Sequence, residues 1–447
     1  MCDTHVAQMR RVHAFSAGFR KEMLWLPAPF VGYDAANHNA ERYHSRERAV
    51  DLTYGPEHQA FRDDVRAFIA AHRQLAPRSQ SVASRNSPET LNWQALLLKH
   101  GYAARTIPKQ YGGFGAAPDP LKTRIIAEEF ADAAVPPSLA GIGISMLVPT
   151  LLEKGTEEQK QKFIAPTLRG EMEWCQGYSE PNAGSDLASL TTRAVVDGEH
   201  FVINGQKIWT SRARYADMMF CLVRTEQDKP KHLGISYLLI PMSTPGIDVR
   251  PLKTMTGRAE FNEVFFTDVR VPVTQIVGQR GEGWAVANAT LKHERGMLGD
   301  PNASRRRLTM LTKLMQEEAI DGHRAIDEPA LRDRLMQLEG RLLAMQFTGM
   351  RNETAAARKE SPGLAGMIMK LQGCELNHQL STLAIDALGE LGVLYDDSPY
   401  LRANGSWQSS SMFELGLIIG GGTAQIQKNI ISERGLDMPR EPKVVSD

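Results

Sequence analysis

The chain has 447 residues, which is too long for one simple core and predicts two or three domains with room for a buried pocket. Lysine plus arginine and aspartate plus glutamate number 52 each, so no overall charge favours nucleic acid, an anionic membrane or an acidic partner. The four cysteines are widely spaced without a CxxC pair, which argues against a zinc site or a disulfide framework and favours a reducing compartment.

The first segment, residues 1–50, is basic and faintly amphipathic at its start but carries acidic residues that do not suit a transit peptide. We expect a disordered tail or a misassigned start there. We also expect a cytoplasmic protein, or a mitochondrial matrix protein if the chain is eukaryotic and the tail is a transit peptide. A later uncharged stretch, Ala133 to Leu152, has the length of a membrane span, but three prolines interrupt it. We interpret it as a buried helix, and we predict no membrane span.

Residues 51–173 have helical periodicity and predict an N-terminal all-α domain. Pro56 suits a first helical turn, and apolar residues then recur on one helical face. Ser87 is a candidate N-cap, and Thr156 with Gln159 forms a candidate capping box.

In residues 174–283 the helical spacing of apolar residues gives way to short β-forming runs, which predict a middle, β-barrel-like domain. VVDGEHFVINGQKIWTS predicts turns at its Asp-Gly and Asn-Gly pairs between short β-forming runs, and GISYLLIPM and EVFFTDVRVPV predict further strands. No GxGxxG follows a strand and no GxxxxGK[ST] occurs, so a doubly wound nucleotide-binding fold is not expected.

Residues 284–440 return to helical patterns and predict a C-terminal four-helix bundle. Five apolar residues alternate four and three apart, as in a bundle seam: Leu331, Leu335, Leu338, Leu342 and Met345. A second long helix is predicted at Met367 to Leu391. The apolar seam leaves surface for self-association, so we expect an oligomer.

The HERG segment is the first candidate for chemistry. A helix that starts near Trp284 places Glu294 and Arg295 beside an apolar stripe. An ion pair with another helix would explain these charges. A carboxylate whose pKa is raised by desolvation, and which removes a proton from a weak carbon acid, would also explain them. The HExxH metalloprotease motif is absent because Met297 stands where its second histidine would be, and we predict no metal site.

Two further segments carry polar side chains that could hold a ligand. In WCQGYSEPNAGSD, the side chains of Gln176, Tyr178, Ser179 and Ser185 could surround a flat heterocycle, although an ordinary polar loop explains them equally well. Trp209 in QKIWTS is either a core aromatic or a ring-stacking platform, and Ser211 would point to the same face of a strand.

A glycine-rich segment, GGGTAQIQ, follows an apolar run near the C-terminus. Gly420, Gly421 and Gly422 permit close backbone approach, and Thr423, Gln425 and Gln427 offer hydrogen-bonding side chains. Such a loop can hold a ligand but cannot accept a proton. A glycine C-cap between two helices is the simpler interpretation of the segment alone.

Together these segments resemble the acyl-CoA dehydrogenase family over about Asp51 to Arg440. The motifs that carry the resemblance are YSEPNAGSD, NGQKIWTS, MTGRAEFNEVFFTDVRVP and GGTAQIQKNIISERGLDMPR, in the family's order. The resemblance implies an α+β protein that binds FAD and oxidises an acyl-CoA thioester to trans-2-enoyl-CoA. It also implies that electrons pass to an electron-transferring flavoprotein.

The resemblance also implies roles for individual residues. Cofactor contacts fall on Gln176, Tyr178, Ser179, Gly184, Ser185, Trp209, Ser211, Thr423 and Gln425. Among these, Tyr178 and Ser179 would lie at the flavin's pyrimidine side, Trp209 would stack on the ring, and Ser211 would lie near N5.

The position of the catalytic base differs from that in many relatives. Gly421 stands where they carry glutamate in a Tyr-Glu-Gly-Thr stretch, whereas a minority pattern carries the base where this chain has Glu294. The resemblance therefore implies Glu294 as the base, and Arg295 as a residue that positions the substrate. The backbone N–H of Gly421 would hold the thioester carbonyl.

Alternatives remain within the same fold. A flavin oxidase or monooxygenase would let oxygen replace the protein acceptor, and a non-catalytic partner subunit or a DNA-associated flavoprotein would share the architecture. The balanced charge argues against nucleic acid. Either a homo-oligomer or a hetero-oligomer, dimeric or tetrameric, is consistent with the resemblance.

Overall fold

The computed structural model describes residues 55–78, 87–320, 322–358 and 360–440. For residues 294–298, 319, 320 and 357 it describes the backbone only. The predicted tail, residues 1–50, lies outside the described residues.

Helices form the region before Trp174. They are α1 Pro56–His72, α2 Pro88–His100, α3 Pro120–Asp132, α4 Val148–Lys154 and α5 Glu157–Arg169, and a π-helical turn, Gly143–Leu147, leads directly into α4. The predicted caps are confirmed: Ser87 accepts a hydrogen bond from the Thr90 N–H, and Thr156 and Gln159 make both bonds of a capping box. The predicted all-α character of this region is therefore confirmed.

The uncharged segment from Ala133 to Leu152 becomes a regular helix only in its second half. The π-helical turn and α4 bury Leu147, Val148 and Leu151 in the largest apolar cluster of the described residues, and Pro149 lies in the first turn of α4. None of the helices in the described part of the chain has the length and hydrophobicity needed to cross a bilayer.

One eight-stranded sheet forms the middle of the chain. Its strands are β1 Trp174–Gly177, β2 Arg193–Asp197, β3 His200–Ser211, β4 Met218–Arg224, β5 Ile235–Pro241, β6 Ile247–Leu252, β7 Phe261–Pro272 and β8 Ile276–Val277. Their order is β6-β7-β3-β2-β4-β5-β8, and β1 lies parallel to β4. Central strands β4 and β5 are buried along almost their whole length, as expected for strands covered on both faces.

The two predicted turns of the β2–β3 region have different outcomes. The expected hairpin turn between β2 and β3 is present: Gly198 and Glu199 form it, closed by the pair Asp197 and His200. The prediction of a turn at Asn204 and Gly205 is wrong, because both residues lie inside β3, where the pairing with β7 shifts register. A Cβ on Gly205 would lie 2.6 Å from Thr192 Oγ1, so glycine serves close strand packing there.

The C-terminal region is a bundle of helices. They are α6 Gly283–Leu298, α7 Pro301–Glu317, α8 Pro329–Ala357, α9 Gly363–Ala387, α10 Ser406–Ile419 and α11 Ala424–Ile430, with short strands β9 Ala319–Ile320 and β10 His323–Arg324 between α7 and α8. Helix α9 packs against α6, α7, α8 and α10. The predicted seam is confirmed, since Leu335, Leu338, Leu342 and Met345 are buried in the bundle core.

Helix α6 joins the three regions. It packs against α4, the π-helical turn, β5 and α9. Thr290 on α6 is fully buried, and its hydroxyl lies 3.0 Å from that of Thr150 on α4 and 3.4 Å from the Tyr237 hydroxyl on β5. A buried chain of hydroxyls thus fixes α6 one turn before the HERG segment.

Candidate active site

The polar loop after β1 is held against the end of β3. The Ile208 N–H donates to the Ser179 carbonyl at 2.9 Å, and Lys207 Nζ donates to the Tyr178 carbonyl at 3.1 Å. These bonds hold the backbone of Tyr178 and Ser179 against β3, directly before Trp209.

A buried ion pair anchors this loop. Lys207 Nζ lies 2.7 Å from Glu180 Oε1, with side chains that are 0% and 5% exposed. Glu180 also accepts hydrogen bonds from the backbone N–H groups of Thr191 and Thr192. Burial acts to raise the pKa of Glu180, but the Lys207 charge and these hydrogen bonds outweigh it and lower the pKa to about 2.

The last residues of β3 present an exposed aromatic surface. The Trp209 side chain is 56% exposed, although Thr210 beside it is fully buried, and Ser211 is again exposed. Trp209 has φ 60° at a register shift between β3 and β7, and its ring packs edge-on against Phe261 at 5.9 Å between centroids. The prediction of a stacking platform therefore has an open indole to support it, and the core-aromatic alternative does not fit this exposure.

The other predicted residues of the loop differ in accessibility. Gly184 and Ser185 are exposed, and Gln176 and Ser179 are half-buried. The Tyr178 side chain is 5% exposed and packs edge-on against Phe220 and Tyr237. Tyr178 therefore contributes its ring to the core.

The glycine-rich segment lies in the bundle, between α10 and α11. Gly421 and Gly422 have φ values of 63° and 89°, which glycine adopts without strain. The buried Lys370 on α9 donates to the carbonyls of Ile418 at 3.2 Å and Gly422 at 2.7 Å. The expected glycine linker between two helices is present, and a lysine from a neighbouring helix fixes its shape.

The two side chains that follow these glycines have different environments. Thr423 is the N-cap of α11 and accepts a hydrogen bond from the Ile426 N–H at 3.2 Å. Gln425 is exposed. Thr423, Gln425 and Gly421 thus form a second cluster, distinct from the one around Trp209.

An aromatic row connects the sheet to the helix that leads into this second cluster. Phe261 on β7 contacts Trp209 on one side and stacks on Phe413 of α10 at 6.2 Å between centroids on the other. Tyr395 in the bundle also donates to the Thr256 carbonyl of the middle domain at 2.6 Å. The exposed indole therefore stands at the junction of the sheet and the bundle.

The predicted base and its neighbour lie on α6, but their side chains are outside the described residues. The backbone places Glu294 and Arg295 one turn after the buried Thr290. The apolar stripe predicted for this helix is present at Trp284 and Leu291, which pack against the largest apolar cluster.

A cavity of about 330 Å³ opens beside Ser211. Its apolar wall includes Ala140, Ile142, Ile144, Met172 and Trp174, and Glu173 and Arg212 also line it. Arg212 Nε donates to Glu173 Oε1 at 2.5 Å. The sequence interpretation did not include Arg212, Lys207 or Glu180, although an arginine directly after the polar end of QKIWTS was a visible signal.

No group of three or more histidine, cysteine, aspartate or glutamate side chains in the described part of the chain could hold a metal ion. Cys175, Cys221 and Cys374 are buried.

Family profiles for three protein domains match this chain in order. They are the acyl-CoA dehydrogenase N-terminal domain over residues 55–171, the middle domain over 175–269 and the C-terminal domain over 281–436. The chain belongs to the acyl-CoA dehydrogenase family. The predicted α+β fold, with a helical domain, a β domain and a helical bundle in that order, is the fold of this family and is confirmed.

Curated relatives and solved structures agree with this assignment. Acyl-CoA dehydrogenase IpdE1 of Mycobacterium tuberculosis is 38% identical over 397 residues, covering 86% of this chain and 99% of the relative. The ChsE4-ChsE5 complex from Mycobacterium tuberculosis aligns with a TM-score of 0.72 at 31% identity, covering 87% of this chain and 100% of the matched one. The Tcur3481-Tcur3483 steroid ACAD also gives a TM-score of 0.72, at 28% identity over 88% of this chain and 100% of the matched one.

Members of the family are flavin-dependent oxidoreductases of lipid catabolism. The comparisons therefore identify this chain as an acyl-CoA dehydrogenase-type enzyme.

Proposed function

We propose that this chain binds FAD and oxidises a CoA thioester to the trans-2-enoyl-CoA. The observation that carries the proposal is the exposed indole of Trp209 beside exposed Ser211, at the junction of the sheet and the bundle. A large aromatic ring left 56% exposed at a strained φ provides a flat apolar surface suited to a ring system.

The residues around Trp209 fit a flavin ring. In this proposal, Ser211 and Ser179 would supply hydroxyl groups for its polar edge, and Gln176 would supply an amide. Gly184 is exposed, and no atom lies within 4 Å of the place that a Cβ would take there, so the loop backbone is open to close approach. In the bundle, Gln425 and Thr423 would contact the cofactor farther from the ring. When bound, FAD accepts a hydride from the substrate β-carbon.

The chain's own task is to remove the α-proton. We assign this role to Glu294, the carboxylate of the HERG segment, on the helix that joins all three regions. Gly421 carries no competing carboxylate, and its backbone N–H would donate to the thioester carbonyl as negative charge develops there. Arg295, the next residue on α6, would position the substrate or Glu294 itself.

We propose a bulky, ring-containing acyl group as the substrate. Gly420 and Gly421 place no side chain where many relatives carry a tyrosine and a glutamate, so volume is available beside the α-carbon. A structural relative at 28% identity is described as a steroid ACAD, which agrees with a bulky acyl group. The proposed electron acceptor is an electron-transferring flavoprotein.

We further propose that the chain works as an oligomer, either of identical chains or with a second related chain. The support is that relatives occur in complexes of two named chains, ChsE4 with ChsE5 and Tcur3481 with Tcur3483. Light scattering on the purified chain, with mass spectrometry of any co-purifying chain, tests this point directly.

The test of the reaction is anaerobic flavin bleaching with a panel of CoA thioesters, from straight chains to steroid-derived ring acids. We expect bleaching and a trans-2-enoyl-CoA product, faster on ring-containing thioesters. The absence of bleaching with every thioester, in a flavin-loaded protein, would refute the proposed reaction. Comparable rates across the straight chains with none on the ring acids would refute the proposed substrate class.

The test of the base is Glu294→Gln. We expect loss of bleaching while the flavin absorbance and stoichiometry are retained, because the amide cannot accept the proton. The exposed Lys292 on the same helix supplies the control variant, Lys292→Gln. Near-normal turnover by Glu294→Gln would assign the base to another residue.

A further inference from the structure

Arg212 is fixed through both its backbone and its side chain. Its backbone N–H donates to the Glu260 carbonyl at 3.1 Å, and Arg212 has φ 60°, so the chain turns sharply after Ser211. Its Nε donates to Glu173, and the Glu173 backbone is itself held by hydrogen bonds with Asp217 in both directions. An arginine held in this way is preorganised, so a ligand would not have to order it.

One nitrogen of this guanidinium has no hydrogen-bond partner. Arg212 Nη2 is buried, and no described residue accepts a hydrogen bond from it, although the side chain as a whole is 30% exposed. A buried donor left without an acceptor is costly, and a charged donor more so. The position therefore suits an acceptor that is supplied by a ligand.

The space beside Arg212 is the cavity described above. At about 330 Å³ it falls in the range of small-molecule sites, and its wall is mainly apolar. Two polar groups in the wall already bond to each other, since Trp174 Nε1 donates to Thr167 Oγ1, which donates to the Phe163 carbonyl. Arg212 and Ser211 are thus the side chains that offer donors to a ligand in this cavity.

We infer that Arg212 Nη2 binds a neutral oxygen, a ring ketone or similar oxo group, on the acyl part of the substrate. The inference rests on the proposed function, in which Ser211 lies at the reacting edge of the flavin and the adjoining cavity receives the acyl group. A neutral oxygen is favoured over a carboxylate because Glu173 already balances the Arg212 charge, and a second carboxylate would lie close to the first.

The experiment compares three CoA thioesters of one ring skeleton: the hydrocarbon, its oxo derivative and its carboxylate derivative. Dissociation constants come from calorimetry on the flavin-loaded protein, and kcat/KM from anaerobic bleaching. We expect the oxo derivative to bind most tightly. In the Arg212→Leu variant, the ratio of the hydrocarbon to the oxo dissociation constant should fall about 10- to 100-fold, which is the range for a lost hydrogen bond to a charged donor.

Arg212→Lys keeps a positive charge beside Glu173. A lysine ammonium lacks the planar set of N–H donors with which arginine can bond to Glu173 and to the ligand at the same time. We expect it to fold normally and to lose the same advantage. Arg214→Leu, at an exposed arginine two residues away, is the matched control and should keep the wild-type ratio.

The inference would be overturned if Arg212→Leu and Arg212→Lys left the ratio of the oxo and hydrocarbon dissociation constants unchanged. Tighter binding of the carboxylate derivative than of the oxo derivative would also overturn it. So would a third result, in which the variants shift the flavin spectrum and the flavin affinity without changing that ratio. The last result would assign Nη2 to the cofactor. Failure of the proposed function is distinct, because it would appear as no bleaching by any thioester in the wild-type protein, while the calorimetric ratio is measured without turnover.

Discussion

Lys207 and Glu180 form a 2.7 Å ion pair that is almost completely buried at the base of the candidate flavin surface. Lys207 lies two residues before Trp209, and Glu180 directly follows Ser179. The pair therefore ties the loop after β1 to the strand that presents the indole, and it sets the spacing between the two segments.

We expect Lys207→Met to destabilise the fold by about 3–5 kcal/mol, because Glu180 would remain buried without a counter-charge. Urea unfolding of the flavin-free protein measures this loss. Lys231→Met, which removes an exposed ion pair with Asp186 in the same domain, is the control and should cost less than about 1 kcal/mol. A small effect of Lys207→Met would show that the pair is not the anchor of the loop. Adding Glu180→Gln should restore part of the stability.

The ion pair of Lys207 and Glu180 also predicts how the free energy of unfolding depends on pH. The pKa of Glu180 is lowered to about 2 in the fold from its ordinary value of 4.5, so its contribution to stability is present above pH 4.5 and is lost as the pH falls towards 2. The shift corresponds to about 3 kcal/mol. The difference in unfolding free energy between wild type and Glu180→Gln should shrink across this window. A difference that stays constant from about pH 6 to about pH 2.5 would contradict the assignment.

The contact between the buried hydroxyls of Thr150 on α4 and Thr290 on α6 predicts that substitutions at the two residues are coupled in their effect on stability. Thr150→Val and Thr290→Val should each cost about 0.5–1.5 kcal/mol, because each removes a hydrogen bond between buried hydroxyls. The remaining threonine keeps a carbonyl acceptor on its own helix, Met146 for Thr150 and Val286 for Thr290. The double variant should cost about 1 kcal/mol less than the sum, as expected for residues in direct contact. Urea unfolding of the four proteins gives this coupling energy.

An additive control is available on another helix. Thr290→Val combined with Thr309→Val, at an exposed threonine of α7, should show no coupling. If the Thr150 and Thr290 variants are also additive, the two hydroxyls do not share a bond in solution.

Because the indole of Trp209 is exposed, its removal should weaken cofactor binding without lowering the stability of the fold. Trp209→Ala should weaken FAD binding about ten-fold or more through loss of ring contact, yet change the stability of the flavin-free protein by less than about 1 kcal/mol because the side chain is exposed. Flavin fluorescence titration and urea unfolding measure the two effects. Tyr400→Ala, at an exposed aromatic of the bundle, should leave both unchanged. Unchanged flavin affinity in Trp209→Ala would remove the platform from the proposed site.

The sequence predicted features that depend on local patterns. The capping box at Thr156 and Gln159 and the bundle seam from Leu335 to Met345 follow from spacing alone, and both are present. The turn predicted at Asn204 and Gly205 is wrong because the same pair suits a turn or a close strand contact, and the neighbouring Thr192 decides which.

The site could be predicted only in part for a similar reason. Lys207 and Glu180 are 27 residues apart, and no local pattern pairs them. The sequence shows Arg212 as a charged residue directly after a predicted strand. It does not show that Arg212 Nη2 bonds to no described residue, because that depends on where Glu173 and the cavity lie. Long-range contacts of single side chains, rather than periodicity, determine these features.

The row of rings formed by Trp209, Phe261 and Phe413 acts as a mechanical link between sheet and bundle. If α10 slides by a fraction of a ring width, Phe261 must tilt or translate, and the indole that it buttresses moves with it. Under the proposed function, the packing of α10 against Phe261 would therefore affect the orientation of the indole on which the isoalloxazine would rest.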